Sequence, residues 1–332
     1  MLYILKKMFF LNLIMSIELS ISSNNMMMLW LSMELNTMSF IALINQKNFY
    51  KFNSLMMMKY FMIQSMSSLL FFLLFTLMYI YKINMMNLVS IMMFYIMMMK
   101  LGMPPFFYWY INMMKSLKWI QCMILSVLQK IIPMIILMKY ITMNNIILIN
   151  LVVSSMLSVI FGLKSSILKH IMSYSSINHL SWMIILMLIS EKFMIMYFII
   201  YMILSTKIMT LMHLMNLNLL NELMNIKNKL IMLLLMTMML SLSGMPPFMG
   251  FLLKWFSLKF LLMNNFKMII LMIIMLMNSA ITILYYINLV TPYMFINTNM
   301  MSYKLTQSKK IKFYLATIMF TSMYMLSLNH LF

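Results

Sequence analysis

The stretch Gly102-Met103-Pro104-Pro105-Phe106 returns, residue for residue, as Gly244-Met245-Pro246-Pro247-Phe248. Each copy lies inside an apolar run. Tandem prolines remove two backbone donors and crowd the preceding turn, so no helix passes through either copy unbroken. The break frees carbonyl groups, which persist in a hydrocarbon layer only where protein or water satisfies them. The second copy lies five apolar segments after the first. An odd offset predicts that corresponding helices run in opposite directions, the inverted-repeat arrangement of many transporters. A lone proline such as Pro133 reads as an ordinary kink.

Composition identifies the layer. Over 332 residues, 65% are AVILMFWYC and only 8% are charged, far beyond the roughly half-apolar content of a water-soluble domain. Apolar stretches long enough to cross hydrocarbon, about 20 residues each, recur along the chain. Polar clusters divide it into spans predicted at 3–22, 25–45, 54–81, 85–114, 118–140, 144–163, 167–190, 193–217, 229–262, 267–290 and 311–331. The runs 85–114 and 229–262 exceed one straight helix, and each contains a copy of the repeat. The expected fold is an all-α polytopic membrane bundle of about eleven transmembrane helices, with inverted repeats and two discontinuous helices, forming a single membrane domain over 1–332. The first apolar run leads into the second without a small-residue cleavage site, so the first helix is expected to remain in the protein.

The net charge of +20 invites a nucleic-acid reading, which the distribution excludes. All 24 basic residues are Lys, and most stand singly between apolar runs rather than massed on one solvated face. They read as residues flanking membrane spans. Connections after even-numbered spans hold twelve lysines, among them Lys47, Lys115, Lys164, Lys227 and Lys309, against four (Lys82, Lys139, Lys192, Lys267) after odd-numbered ones. This bias predicts the N-terminus on the matrix side of a mitochondrial inner membrane and the C-terminus in the intermembrane space. The compartment follows from residue usage. Ala, Gly, Pro and Arg are scarce, and amino acids with A/T-rich codons dominate. The 56 methionines point to a code in which ATA also reads Met, as in animal mitochondria; finding ATA codons read as Ile would refute it.

Four ionisable residues lie deep in apolar sequence near the repeats: Glu34, Lys100 just before the first break, Lys130, and Lys254 after the second. A mid-membrane lysine costs roughly 2.5–3.5 kcal/mol on insertion scales unless it faces a wet interior or a partner, so keeping several argues for use. Burial and a neighbouring opposite charge act in opposing senses on a side chain's hold on its proton, and a Glu–Lys pair that forms and breaks is therefore a switch. Lys suits this role; Arg would never release its proton. Lys6, Lys7, Lys59 and Lys259, near span ends, read as snorkelling residues. Lys207, with His213 six residues on, is a secondary relay candidate. Glu18 is expected to be wetted. The spacing of His170 and His179 fits no haem or zinc pattern, and Cys122 stands alone, so no internal disulfide, metal site or four-cysteine cluster is expected. There is no phosphate loop, nucleophile elbow or His-Glu-x-x-His motif.

Four segments, Lys100-Leu-Gly-Met-Pro-Pro-Phe-Phe-Tyr-Trp109, Leu128-Gln-Lys-Ile-Ile-Pro133, Tyr174-Ser-Ser-Ile-Asn-His179 with Trp182, and Leu242-Ser-Gly-Met-Pro-Pro-Phe-Met-Gly-Phe-Leu-Leu-Lys-Trp255, resemble in this order the chain 2 family of NADH:ubiquinone oxidoreductase. They extend over about half of the chain. The resemblance implies an antiporter-like membrane-arm subunit of respiratory complex I that carries protons in a hetero-oligomer. NADH, FMN, iron–sulfur clusters and ubiquinone would then belong to other subunits, with no cofactor or metal in this chain and lipid rather than nucleic acid around it. By position, Glu34 in Trp30-Leu-Ser-Met-Glu-Leu-Asn looks like the family glutamate, and Lys100, Lys130 and Lys254 like its membrane lysines. Phe107 stands where the family often has His, Ile111-Asn112 replace a usual Pro-Glu, and Lys169-His170 replace Arg-Lys. These departures remove the basis for a relay histidine beside the first break. Two alternatives stay open: a cation/proton antiporter subunit, against which the mitochondrial codon signature weighs, and a non-catalytic membrane scaffold.

Overall fold

A computed structural model describes residues 2–44, 51–81, 86–225, 229–246, 248–262 and 266–297. The predicted span 311–331 and Pro247 lie outside the described residues. The chain begins with three long helices, α1 (Leu2–Ser22), α2 (Met26–Ile44) and α3 (Lys51–Tyr81). The run 85–114 is two helices, α4 (Met86–Leu101) and α5 (Tyr108–Ser116), with the first repeat between them. The run 118–140 holds α6 (Trp119–Met123), a five-residue π turn (Ile124–Leu128) and α7 (Gln129–Tyr140). Then come α8 (Asn145–Lys164), α9 (Leu168–Ile189), α10 (Glu191–Leu214) and a 3₁₀ turn, Leu220–Asn225. The second repeat separates α11 (Lys229–Ser243) from α12 (Met249–Leu262), and α13 is Phe266–Asn297.

Seven helical stretches among the described residues are long and apolar enough to cross a membrane. No sheet occurs among these residues, and one isolated antiparallel bridge joins Ile167 to Leu219. Two boundaries and one internal turn depart most from the sequence reading. The span expected at 193–217 ends at Leu214, because Asn216 turns the chain with φ 53°. The last described helix continues past 290 to Asn297. The π turn has no counterpart in the apolar pattern.

The distribution of polarity is that of a protein dissolved in lipid. Met58, Met66, Ile21, Ile149 and Met277 face outward, whereas Ser16, Ser20, Ser32, Ser67, Ser154 and Ser173 are buried. Small side chains let helix backbones approach closely. Their hydroxyls are satisfied locally: Ser16, Ser20 and Ser32 each donate to the carbonyl three residues back at 2.7 Å.

The chain forms two compact units, residues 1–158 with 172–191 and residues 159–171 with 192–332. In the first, α2 packs against α1 and α3, α3 against α4 and α5, and α7 against α1, α2 and α4. In the second, α11, α12 and α13 pack together, with the 3₁₀ turn against α13. Two connections of this second unit are stitched by the bridge. Leu168 N–H donates to Asn218 O at 3.0 Å and Leu220 N–H to Ser166 O at 3.2 Å. The Glu222 carboxylate accepts the N–H groups of Asn218 and Leu219 at 2.5 and 3.1 Å, and these donors hold its carboxyl below the usual carboxylate range.

Candidate functional site

At the first repeat Gly102 adopts φ +67°, the left-handed conformation that ends helices, and Met103 N–H returns to Met98 O at 3.1 Å. This six-to-one bond is the signature of a Schellman ending. Phe106 N–H then closes a turn on Met103 O at 2.8 Å. The carbonyls left open at the end of α4 are met by neutral donors, Trp109 Nε1 on Met99 O at 3.1 Å and Gln64 Nε2 on Lys100 O at 3.3 Å. Lys100 occupies the last turn of α4, where the helix dipole favours a cation.

Lys100 and Lys130 are both buried, at 6% and 2% exposure. Together they line a cavity of about 10 Å³, the room of a single water, along with Tyr60, Gln64, Trp109, Tyr110 and Gln129. The Lys130 ammonium lies 5.0 Å from the centre of the Tyr110 ring, a cation–π arrangement. Tyr110 in turn shares a 2.8 Å hydrogen bond with Ser176 of α9, and buried His179 stands one turn further along that helix.

The backbone explains how α7 presents its residues. The π turn inserts one residue into the helix, so Gln129 N–H reaches back five residues to Ile124 O. Four residues on, Pro133 has no N–H to offer the Gln129 carbonyl. Gln129 then spans two other helices: its Nε2 donates to Asn36 Oδ1 at 3.1 Å, and its Oε1 accepts from Tyr60 OH at 3.2 Å. Asn36 and Glu34 both lie on α2, but two residues apart they point to different faces. Glu34 is half-buried and accepts a hydrogen bond from Ser68.

The second repeat ends its helix in the same way. Gly244 adopts φ +81°, its N–H returns to Ser241 O at 3.2 Å, Met245 N–H to Leu240 O at 3.3 Å and Phe248 N–H to Met245 O at 2.9 Å. The donor at the open end of α11 is different. Lys254, 5% exposed on α12, sends its ammonium to Ser243 O at 2.5 Å. Pro104 is buried and Pro105 and Pro246 are exposed.

Residues 23–282 match the family model described as NADH:quinone oxidoreductase/Mrp antiporter, TM. The chain belongs to this NADH:quinone oxidoreductase/Mrp antiporter family. It is 33% identical to NADH-ubiquinone oxidoreductase chain 2 of Locusta migratoria over 86% of this chain and 84% of that one. Against the protein of the same name from Rhipicephalus sanguineus the identity is 34%, over 85% and 88% of the two chains. Among solved structures, a chain of respiratory complex I from Thermus thermophilus superposes with TM-score 0.80 at 15% identity, over 98% of this chain and 77% of that one. A chain of the Mrp complex from Dietzia sp. gives 0.70 at 12% identity, over 91% and 61%. At these identities the structures show a shared fold.

Within this NADH:quinone oxidoreductase/Mrp antiporter chain, Lys100 and Lys130 meet at one cavity, and Glu34 does not line it. Lys254 has its own site in the second unit. Lys207 and His213 are partly exposed on α10; six residues place them about 120° apart around the helix. Glu18 is exposed on α1. Cys122 is buried and donates to Met114 O at 3.3 Å. Among the described residues no three His, Cys, Asp or Glu side chains gather as a metal site. Sequence reasoning missed Tyr60, Gln64, Asn36, Gln129, Tyr110 and Ser176. A signal existed for some of them: Tyr60 and Gln64 are an i, i+4 pair on one face of α3, and Gln129 adjoins Lys130.

Proposed function

We propose that this chain is a core membrane subunit of a proton-pumping NADH:ubiquinone oxidoreductase in the mitochondrial inner membrane, carrying protons through Glu34, Lys100, Lys130 and Lys254 without a redox cofactor of its own. The observation that carries this reading is the water-sized cavity shared by Lys100 and Lys130. Two buried lysines lining one small polar space offer a single water held there a proton donor on one side and a proton acceptor on the other. Gln64, Gln129, Tyr60 and Tyr110 supply donors and acceptors around that space. Glu34, a carboxylate that accepts a hydrogen bond from Ser68 of the neighbouring helix, is the further ionisable member of the proposed relay. Ser176 and His179 extend polar groups beyond Tyr110, whereas Lys207 and His213 are secondary candidates.

The relatives' shared name supports the partners in this proposal: other subunits hold NADH, FMN, iron–sulfur clusters and ubiquinone, and this chain sits among the membrane-arm subunits. Eleven spans in a single membrane domain, the inverted repeat, and the N-terminus on the matrix side belong to the same reading. The likeness to a chain of the Mrp complex favours a second one, a cation/proton antiporter subunit. The test is Lys130→Met in the intact complex, with protons pumped per NADH oxidised measured in proteoliposomes. The proposal expects loss of pumping or of coupled turnover. Unchanged pumping would leave a scaffold, and pumping that requires sodium or potassium would favour the antiporter.

A further inference from the structure

The open end of α11 is closed by a side chain that reaches it across bare backbone. A Cβ on Gly244 would stand 2.9 Å from each of Lys254 Cδ, Cε and Nζ, closer than real side chains come. The lysine tail therefore lies on the face from which this residue's side chain is missing. Gly250 acts from the other side. A Cβ there would overlap the Ser241 carbonyl oxygen and stand 3.3 Å from Gly244 Cα, so the first turn of α12 is drawn against the end of α11. Lys254 follows Gly250 by four residues and so shares its face. It is delivered to the Ser243 carbonyl, where it donates at 2.5 Å.

At the first repeat the corresponding space is filled otherwise. A Cβ on Gly102 would meet Tyr110 Cβ at 2.5 Å and Trp109 Cζ2 at 3.2 Å, and the carbonyls there accept an indole and an amide. An ionisable donor holds only the second of these two endings.

We infer that Gly244 and Gly250 are positioning residues for Lys254, forming a seat that holds its ammonium on the Ser243 carbonyl. The second break is thus kept closed by the group whose proton the relay moves. This rests on the relay reading given above. An ionised donor makes a hydrogen bond roughly twice as strong as a neutral one, and a cation at a helix C-terminus is favoured by the dipole. Departure of the proton from Lys254 therefore weakens the closure of α11 in the same event.

The test uses the assembled complex carrying Lys254→Met, Gly244→Ala or both, with Lys130→Met as the control. Protons pumped per NADH and amide exchange across residues 238–252 are measured on each. Gly244→Ala should lower the proton yield as Lys254→Met does, and the double variant should be no worse than Lys254→Met alone, since both changes remove one interaction. Exchange at Met245 and Phe248 should rise about tenfold in Lys254→Met, as expected for loss of a charged hydrogen bond, and stay unchanged in Lys130→Met. An assembled Gly244→Ala complex that pumps at the normal yield overturns the inference while the relay reading stands. A Lys254→Met complex that pumps normally overturns both. If Gly244→Ala prevents assembly, exchange in Lys254→Met decides: unchanged protection at the break overturns the seat, and a tenfold rise supports it.

Discussion

The two breaks end their helices alike and differ in what holds them. Both end a helix on a left-handed glycine, return the next N–H to the carbonyl five residues back and close one further turn at the phenylalanine. The first is then held by Trp109 and Gln64, donors that keep their hydrogens at every physiological pH. The second is held by Lys254. An identical pentapeptide thus produces a fixed frame in one unit and, in the other, a closure made by an ionisable side chain. The local sequence sets the shape of the break, and the side chains packed around it set its chemistry.

If the first break is a fixed frame, its lysines should carry protons without supporting the backbone. Lys130→Met should slow coupled proton transfer on the order of 10²-fold, the lower range for loss of a proton-transfer group. Amide exchange at Met103 and Phe106 should not change; faster exchange there would erase the contrast between the breaks. Gly102→Ala should be the most damaging structural change. It strains a left-handed backbone and presses on Tyr110, at about 2 kcal/mol or more, visible as less assembled complex and a lower thermal midpoint. Trp109→Phe keeps most of the ring but leaves the part-buried Met99 carbonyl without its donor, a loss of about 1–2 kcal/mol in the same melting experiment. Gln64→Met, which removes a longer bond to Lys100 O, should cost about 1 kcal/mol or less.

The smallest expected effect lies outside the lipid. Backbone donors depress the Glu222 carboxyl, so its stabilisation of the loop is full above the unfolded-state value and disappears as pH falls through the folded one. Protection of the Asn218 and Leu219 amides should therefore decline in acid. Glu222→Gln should abolish that pH dependence with little change in pumping, and a pumping defect would place this loop in the proton path.

The breaks were legible in the sequence because their causes are local: glycine tolerates positive φ, and proline next to it cannot continue the helix. The four membrane charges were legible because each is costly in an apolar run. The donors that close each break were not. Trp109 lies seven residues after Gly102 and Lys254 ten after Gly244, but which of them meets a carbonyl depends on how the following helix folds back. Gly250 carries no signal in the sequence, and only the approach of α12 to Ser241 shows its use. The π turn of Ile-Leu-Ser-Val-Leu carries no turn signal, because an inserted residue changes the register without changing the polarity of the run.

That register has a consequence of its own. The hydrogen bonds from Tyr60 through Gln129 to Asn36 all point one way, hydroxyl to amide oxygen, then amide nitrogen to amide oxygen. A half-turn of the Gln129 side chain exchanges its two ends, and neither neighbour could then keep its present role: Asn36 would have to donate and Tyr60 to accept. Three helices would reverse their polarity together or not at all. A single carboxamide, set beside a lysine by one extra residue in a turn, thus gives this part of the protein two alternative wirings of equal bond count and opposite direction.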